Sequence, residues 1–309
     1  MNILVTGAAG FLGSVLVGKL LNEGHSVVGH DNLMYGQQSL LQYIPNPNFK
    51  FVWGDVRDID LVQELIHRCD IFLPLASIVG APANSRDSMS STVDKMISEY
   101  NLQDKKVIYP TTNSGYGIKT NDVYCTEESE LSPISSYGIL KVNSERYLLE
   151  YHPNTITLRL ATVFGVSPRM RLDLLVNFFV WKAVTENILT VAQPEAKRNY
   201  VHINDVCDCF IHSINNFESM RGNAYNLGLN TNHSKGELAT IVQSFTGCEI
   251  LETKSYVDPD KRNYVVSNQK INDAGFIPKV SIEDAVPSLI EACQMISMLN
   301  YGREVNRNA

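Results

Sequence analysis

The chain has no run approaching the ~20 consecutive apolar residues of a membrane-spanning helix, no cluster of lysine and arginine, and no paired cysteine or histidine spacing of the zinc-binding kind. Its net charge is −7 at neutral pH. Nucleic acid and anionic membranes are thereby disfavoured as partners. The amino end, "MNILVTGAAG", passes straight into a strand-like run without a basic n-region or an apolar h-region, so a cytoplasmic protein is expected. The six cysteines are scattered and read as reduced structural thiols. Cys207 and Cys209 form a CxC on a helical stretch, where neighbouring side chains diverge. The seven histidines are spread singly and suggest no metal site. Internal repeats and low-complexity segments are also missing.

What is present suffices for a full core. Of 309 residues, 44% are hydrophobic and 19% charged, ordinary values for a chain of about two domains or one large α/β unit. Short apolar runs ("NILVTG", "HSVVGHD", "FKFVWGD", "DIFLPLA", "KKVIYPTT", "TITLRLATVFG") alternate with helical ones ("SVLVGKLLNEG", "VQELIHRC", "SYGILKVNSERYLLEY"). This rhythm predicts a doubly wound parallel sheet of the Rossmann kind, covered on both faces. After about residue 165 the elements become shorter and mixed. The expected division is a nucleotide-binding domain over 1–165, with 198–215 returning to it so that "YVHINDV" completes the large sheet, and a smaller α/β substrate domain over 166–309.

"VTGAAGFLGS" places Gly7, Gly10 and Gly13 between the first strand and the first helix. Bare backbone there lets a diphosphate approach the free N–H groups and positive dipole of the helix start, at Phe11 and Leu12. Three glycines at such a turn also serve simple packing. Asp31 closes the second strand, where a carboxylate can accept from both hydroxyls of an adenosine ribose and repel a 2′-phosphate. The next residue is Asn32 rather than arginine, which favours NAD over NADP. Asp55 and Val56, ending the third strand, are placed for the adenine edge, although Gly-Asp is also a common turn.

Tyr137 and Lys141 stand four residues apart in "SSYGILK", on one face of a helix. A free tyrosine has a pKa near 10, so it needs a nearby ammonium to act as a base at neutral pH. YxxxK also recurs by chance on amphipathic helices. Thr112, at the end of the fifth strand in "YPTTNSGYG", then has a role: its hydroxyl can hold the substrate alcohol that Tyr137 deprotonates. Thr111 would face the other way and be structural.

Taken together, "TGAAGFLG", "DNL", "GDVRD", "PLAS", "PTTNSGYG", "SSYGILK", "LRLATVFG" and "KRNYVHINDV" resemble the extended short-chain dehydrogenase/reductases of the NAD-dependent sugar-nucleotide epimerase/dehydratase group, over nearly the whole chain. The resemblance implies NAD as cofactor and a nucleotide-diphosphate sugar as substrate. It assigns the catalytic roles to Thr112, Tyr137 and Lys141, the glycine turn to Gly7, Gly10 and Gly13, the ribose ligand to Asp31, and the segment beside the cofactor to Leu75 and Ala76. Asn177 and Arg198 match positions that hold the nucleotide phosphates, and Arg262 resembles a third. Surface solvation or a salt bridge is the alternative reading of each of these, and Arg169 and Arg171 are further, weaker candidates. His202 reads as a core histidine. The resemblance also implies a homodimer through helices around 88–100 and 137–152, with Leu140, Tyr147 and Leu148 offered by the second, although burial within the subunit could equally explain those three.

Departures from the group narrow the chemistry. Its 4,6-dehydratases carry Asp-Glu after the threonine, and its decarboxylases carry a glutamate in the position of Ser114. Here Asn113 and Ser114 stand beside the substrate instead. A common asparagine is replaced by Thr92 or a neighbour, and Phe-Asn by Ala161-Thr162. The expected reaction is NAD-dependent oxidation at C4, as a UDP-glucose 4-epimerase-like enzyme or as a 4-dehydrogenase releasing the ketone. "TTNSGYG" and "PRMRLDLLVN" are similar to a subgroup in surface-polysaccharide pathways that includes enzymes of GDP-heptoses. A 4-keto reductase is a third version, against which Asp31 counts. A non-catalytic NAD-binding scaffold on the same fold is the reading of a different class; such proteins lose the tyrosine or lysine, and both are present here.

Overall fold

The computed structural model describes residues 1–77, 96–118, 124–253 and 265–307. Among them the chain first forms strands β1 (Asn2–Thr6), β2 (Ser26–Asp31), β3 (Phe49–Trp53), β4 (Ile71–Pro74) and β5 (Lys106–Thr112). Next come β6 (Tyr124–Cys125), β7 (Thr155–Leu160), β8 (Thr162–Phe164), β9 (Ile188–Ala192) and β10 (Lys197–His202). The last are β11 (Asn223–Leu227), β12 (Asn232–Ser234), β13 (Glu249–Thr253) and β14 (Val265–Val266).

Seven strands form one parallel sheet in the order β11-β7-β5-β4-β1-β2-β3. The central strands read as unbroken apolar runs because both faces are covered. Alternate residues serve opposite faces: Ile3 and Val5 pack with Leu16, Val17 and Leu20 of the helix Phe11–Asn22, while Leu4 packs with Val62 and Ile66 of the helix Ile59–His67. Fully burying one such side chain contributes about 1.5–3 kcal/mol. The helix Ser136–Tyr151 joins the second face through Leu148. That residue lies inside the subunit, so for Leu148 the second of the two readings above holds. Residues 88–95 of the other helix expected at a dimer contact lie outside the described residues.

A second core gathers the helices Leu175–Glu186, Lys235–Thr246 and Ile282–Arg307 around Val176, Val180, Leu238, Val242 and Leu289. Two pairs, β9 with β13 and β6 with β14, complete the strands.

"YVHINDV" is placed differently from the sequence expectation. Strand β10 pairs with β8 and β12 in a separate three-stranded sheet, and β11 completes the large one. Only the following helix, Ile203–Asn215, returns, packing Val206 and Phe210 onto the first core. The misreading has a physical cause. Tyr200 faces the second core and Val201 the first, so a strand wedged between two cores carries the apolar pattern of a central strand. His202 caps that helix, its Nδ1 accepting from the Asn204 N–H at 3.3 Å. Burial pushes its pKa down, as suits a neutral structural histidine.

All six cysteines are buried outside disulfides, and burial pushes the Cys207 and Cys209 thiols up. Among the described residues, no helix is long and apolar enough to cross a membrane, and no group of three or more His, Cys, Asp or Glu side chains could hold a metal ion.

Candidate active site

The carboxyl ends of β1, β4 and β5 open into a cleft of about 640 Å³, at the point where strand order in the sheet reverses. Gly7 leaves β1 with φ +70°, a conformation that glycine adopts at little cost. A methyl group there would sit 2.7 Å from the Ala76 Cα, and one at Gly13 would sit 2.3 Å from the Gly7 carbonyl oxygen. Gly10 caps the helix without a side chain, and Phe11, Leu12 and Gly13 of its first turn line the cleft. The first N–H groups of a helix lack partners within it, which suits a diphosphate. Leu75 and Ala76 border the same space, with the Leu75 N–H donating to the Thr6 carbonyl at 3.1 Å.

At the next strand end the Asp31 carboxylate accepts from the N–H groups of Leu33 at 2.8 Å and Ala9 at 3.0 Å, and from the Gln37 amide at 3.3 Å. Burial raises its pKa, against the opposing effect of the two backbone N–H groups. Asn32 lines the cleft and donates to Asp55 at 3.1 Å. Asp55 itself stands outside the lining, while Gly54 and Val56 are in it. Its carboxylate is occupied by the Arg57 guanidinium at 2.9 and 3.0 Å, which holds the carboxyl well below the usual range. Asp55 thus stands just behind the cleft wall, paired with Arg57.

Across the cleft, Thr112, Ser114, Tyr137 and Lys141 line one wall. Thr112 caps the short turn Asn113–Tyr116: its hydroxyl accepts from the Ser114 N–H at 3.1 Å and lies 3.0 Å from the Ser114 hydroxyl. Ser135 caps the helix that carries Tyr137, accepting from the Gly138 N–H at 3.1 Å. Lys141 is buried; its ammonium donates to the Pro110 carbonyl at 3.0 Å and lies 4.6 Å from the centre of the Tyr109 ring. Thr111, expected on the far face, also borders the cleft. Asn113 is buried outside the lining, both its amide atoms lacking a hydrogen-bond partner. Behind this wall Arg159 on β7 holds Glu145 at 2.6 Å and the Tyr116 hydroxyl at 2.9 Å, and Tyr116 donates to Asn226 at 2.7 Å.

On the opposite side Arg169, Arg171, Arg198 and Lys235 line the cleft. Arg198 and Lys235 are buried, and Arg171 is paired with Asp173. Asn177 is not in the lining. Its amide accepts from the Gly165 N–H at 3.0 Å and donates to the carbonyls of Gly165 at 3.3 Å and Arg171 at 3.0 Å. It shapes the segment that carries the arginines, rather than presenting a free donor for a phosphate. Arg262 and Thr92 lie outside the described residues.

A family model described as the NAD dependent epimerase/dehydratase family matches residues 3–228. The chain belongs to that family. Over 95% of its length, and 97% of the relative's, it is 28% identical to the low-salt glycan biosynthesis protein Agl12 of Haloferax volcanii. It is 26% identical to the UDP-glucose 4-epimerase of Mycolicibacterium smegmatis, covering 94% of this chain and 98% of that one. A solved structure of UDP-glucuronic acid 4-epimerase from Bacillus cereus, in complex with UDP-glucuronic acid and NAD, matches with a TM-score of 0.83 at 24% identity. The match covers 96% of this chain and 100% of the other. At that identity the likeness speaks for the fold.

The enzyme is thus NAD-dependent, and its own residues fit the cofactor. The glycine turn forms a cradle that methyl groups would fill, and Asp31 presents at the cleft a carboxylate of the kind that could accept from ribose hydroxyls.

Lys235 escaped the sequence reading. A cation in the first helical turn opposes the helix dipole, and that oddity in "HSKGEL" was the available signal. Tyr35, Gln37 and Ser77 also line the cleft; nothing in their local sequence marks them.

Proposed function

We propose that the enzyme oxidises C4 of a nucleotide-diphosphate sugar and then reduces the ketone from the opposite face, acting as a 4-epimerase. The observation that carries this reading is the turn after β5. Thr112 reaches the cleft beside Tyr137 and Lys141, and the two residues that follow it are Asn113 and Ser114. An elimination of the C6 oxygen needs an acid and a base there; an amide cannot serve as an acid, and a serine hydroxyl is a poor donor or acceptor of protons near neutrality. The 4-keto sugar therefore keeps its C6 oxygen.

Tyr137 takes the proton of the C4 hydroxyl, which the Thr112 hydroxyl orients. Lys141, fixed by the Pro110 carbonyl, places its positive charge one helical turn from the phenol and favours the ionised form. When bound, NAD supplies the hydride acceptor and returns the hydride. Arg198, Lys235 and Arg171 supply charge for the sugar nucleotide's diphosphate. The turn of the ketone between the two transfers needs no further protein base, and Tyr137 returns its proton at the end.

The division near residue 165 is proposed to separate cofactor from substrate binding, and the cytoplasm is proposed as the compartment. A panel of UDP-, GDP-, CDP- and dTDP-sugars, with product mass and C4 configuration read out, tests the reaction. Unchanged mass with inverted C4 is expected. Loss of one water overturns the reading, and loss of two hydrogens with stoichiometric NADH replaces it by a 4-dehydrogenase.

A further inference from the structure

Two residues from opposite walls meet over the cofactor arm of the cleft. Tyr35 belongs to the loop after β2, four positions beyond Asp31. Arg169 belongs to the segment after β8, on the substrate side. The Arg169 guanidinium lies 4.6 Å from the centre of the Tyr35 ring, within cation–π range. Both line the cleft together with Gly10, Phe11 and Asp31.

Each half of this contact is fastened to the cofactor cradle. The Gln37 side chain accepts from the Tyr35 N–H at 3.1 Å and donates to Asp31 at 3.3 Å. The Ser167 hydroxyl donates to the Phe11 carbonyl at 2.7 Å, accepts from the Arg169 N–H at 3.2 Å, and lies 3.1 Å from the Ser14 hydroxyl. The ribose acceptor and the glycine helix thus each anchor one side of the stack. A dinucleotide with its ribose at Asp31 and its diphosphate at the glycine turn would pass along the stretch of cleft that these residues line.

We propose that Tyr35 and Arg169 form a clasp across the cofactor arm that slows the release of NAD. Arg169 then acts on the cofactor's residence rather than on the sugar nucleotide's phosphates. Tyr35 is 54% exposed, so the stack is a surface contact whose opening is accessible, and the expected effect is modest. A resident cofactor suits an enzyme that returns its hydride to the same substrate. The inference rests on NAD binding and not on the position of oxidation.

Release of bound NADH, chased with excess NAD and followed by its fluorescence without any sugar nucleotide, tests the clasp. Tyr35→Ala and Arg169→Ala should each release NADH about 2- to 5-fold faster, the factor an exposed cation–π contact supplies. The double variant should match either single one, and Tyr35→Phe, which keeps the ring, should retain slow release. Unchanged release in both alanine variants, acceleration in Arg169→Ala alone, or additive effects in the double variant would each overturn the clasp. None of these outcomes bears on C4 chemistry, because no sugar is present.

Discussion

The Tyr137 hydroxyl is the atom on which the proposed chemistry depends. Tyr137→Phe keeps the ring and removes the base, so turnover should fall by at least the 10²–10⁴-fold typical of a lost general base, while NAD still binds. Steady-state rates beside NAD titration check this, and near-normal turnover would remove the tyrosine from the mechanism. Asp31→Ala should weaken NAD binding and relax discrimination against NADP. In the unmutated enzyme, NADPH binding tighter than NADH would contradict the assignment. Burial raises the free-state pKa of Asp31, whereas ribose hydroxyls donating to the carboxylate favour its ionised form and lower the bound-state value. NAD affinity is therefore full above the raised pKa and declines as pH falls through it. Calorimetry from about pH 7 down toward the ordinary carboxylate range should show that decline, and Asp31→Asn should abolish it. That Asp31, Tyr137 and Lys141 would reach one cleft was legible in the sequence, because short-range geometry, a strand end or one helical turn, places them. The pairing of Asp55 with Arg57 and of Asn177 with the Gly165 backbone was not, because hydrogen-bond partners chosen in the folded chain leave no local pattern.

Among the elements, the helix Ser136–Tyr151 and the turn after β5 meet through one buried group. Glu145 lies one turn beyond Lys141, Tyr116 ends the turn that Thr112 begins, and Arg159 on β7 bonds both. Arg159→Met would leave the Glu145 carboxylate buried without its cation, a loss of about 3–5 kcal/mol. Thermal or denaturant unfolding measures it, and a change within experimental error would mean that the pair contributes nothing net. The alternation of strands and helices made the large parallel sheet legible before any coordinates. The membership of β10 was not legible, because Tyr200 and Val201 are buried against different cores and the run carries no mark of which sheet its edges join.

For the whole molecule, the proposed homodimer follows the family resemblance, with the helix Ser136–Tyr151 as the contact. Leu148 is enclosed, but Ile139 and Tyr151 on that helix are 45% and 61% exposed and give an apolar surface to cover. Light scattering should return twice the 34.5 kDa chain mass; a monomer across the micromolar range would count against it. The fold class and the cofactor end could be read from sequence because glycine spacing and strand ends state their requirements locally. The other side of the cleft was legible only in part: Arg198 and Arg171 stood out in the sequence, whereas Lys235, on a separate element, joins them only in the folded cleft. The central claim, that hydride leaves C4 and returns to the same carbon, is tested most directly with a substrate deuterated at C4. Mass and NMR analysis of the product should find inverted C4 with the deuterium still attached. Deuterium recovered in free NADH beside a released ketone, or a product lighter by one water, would contradict it.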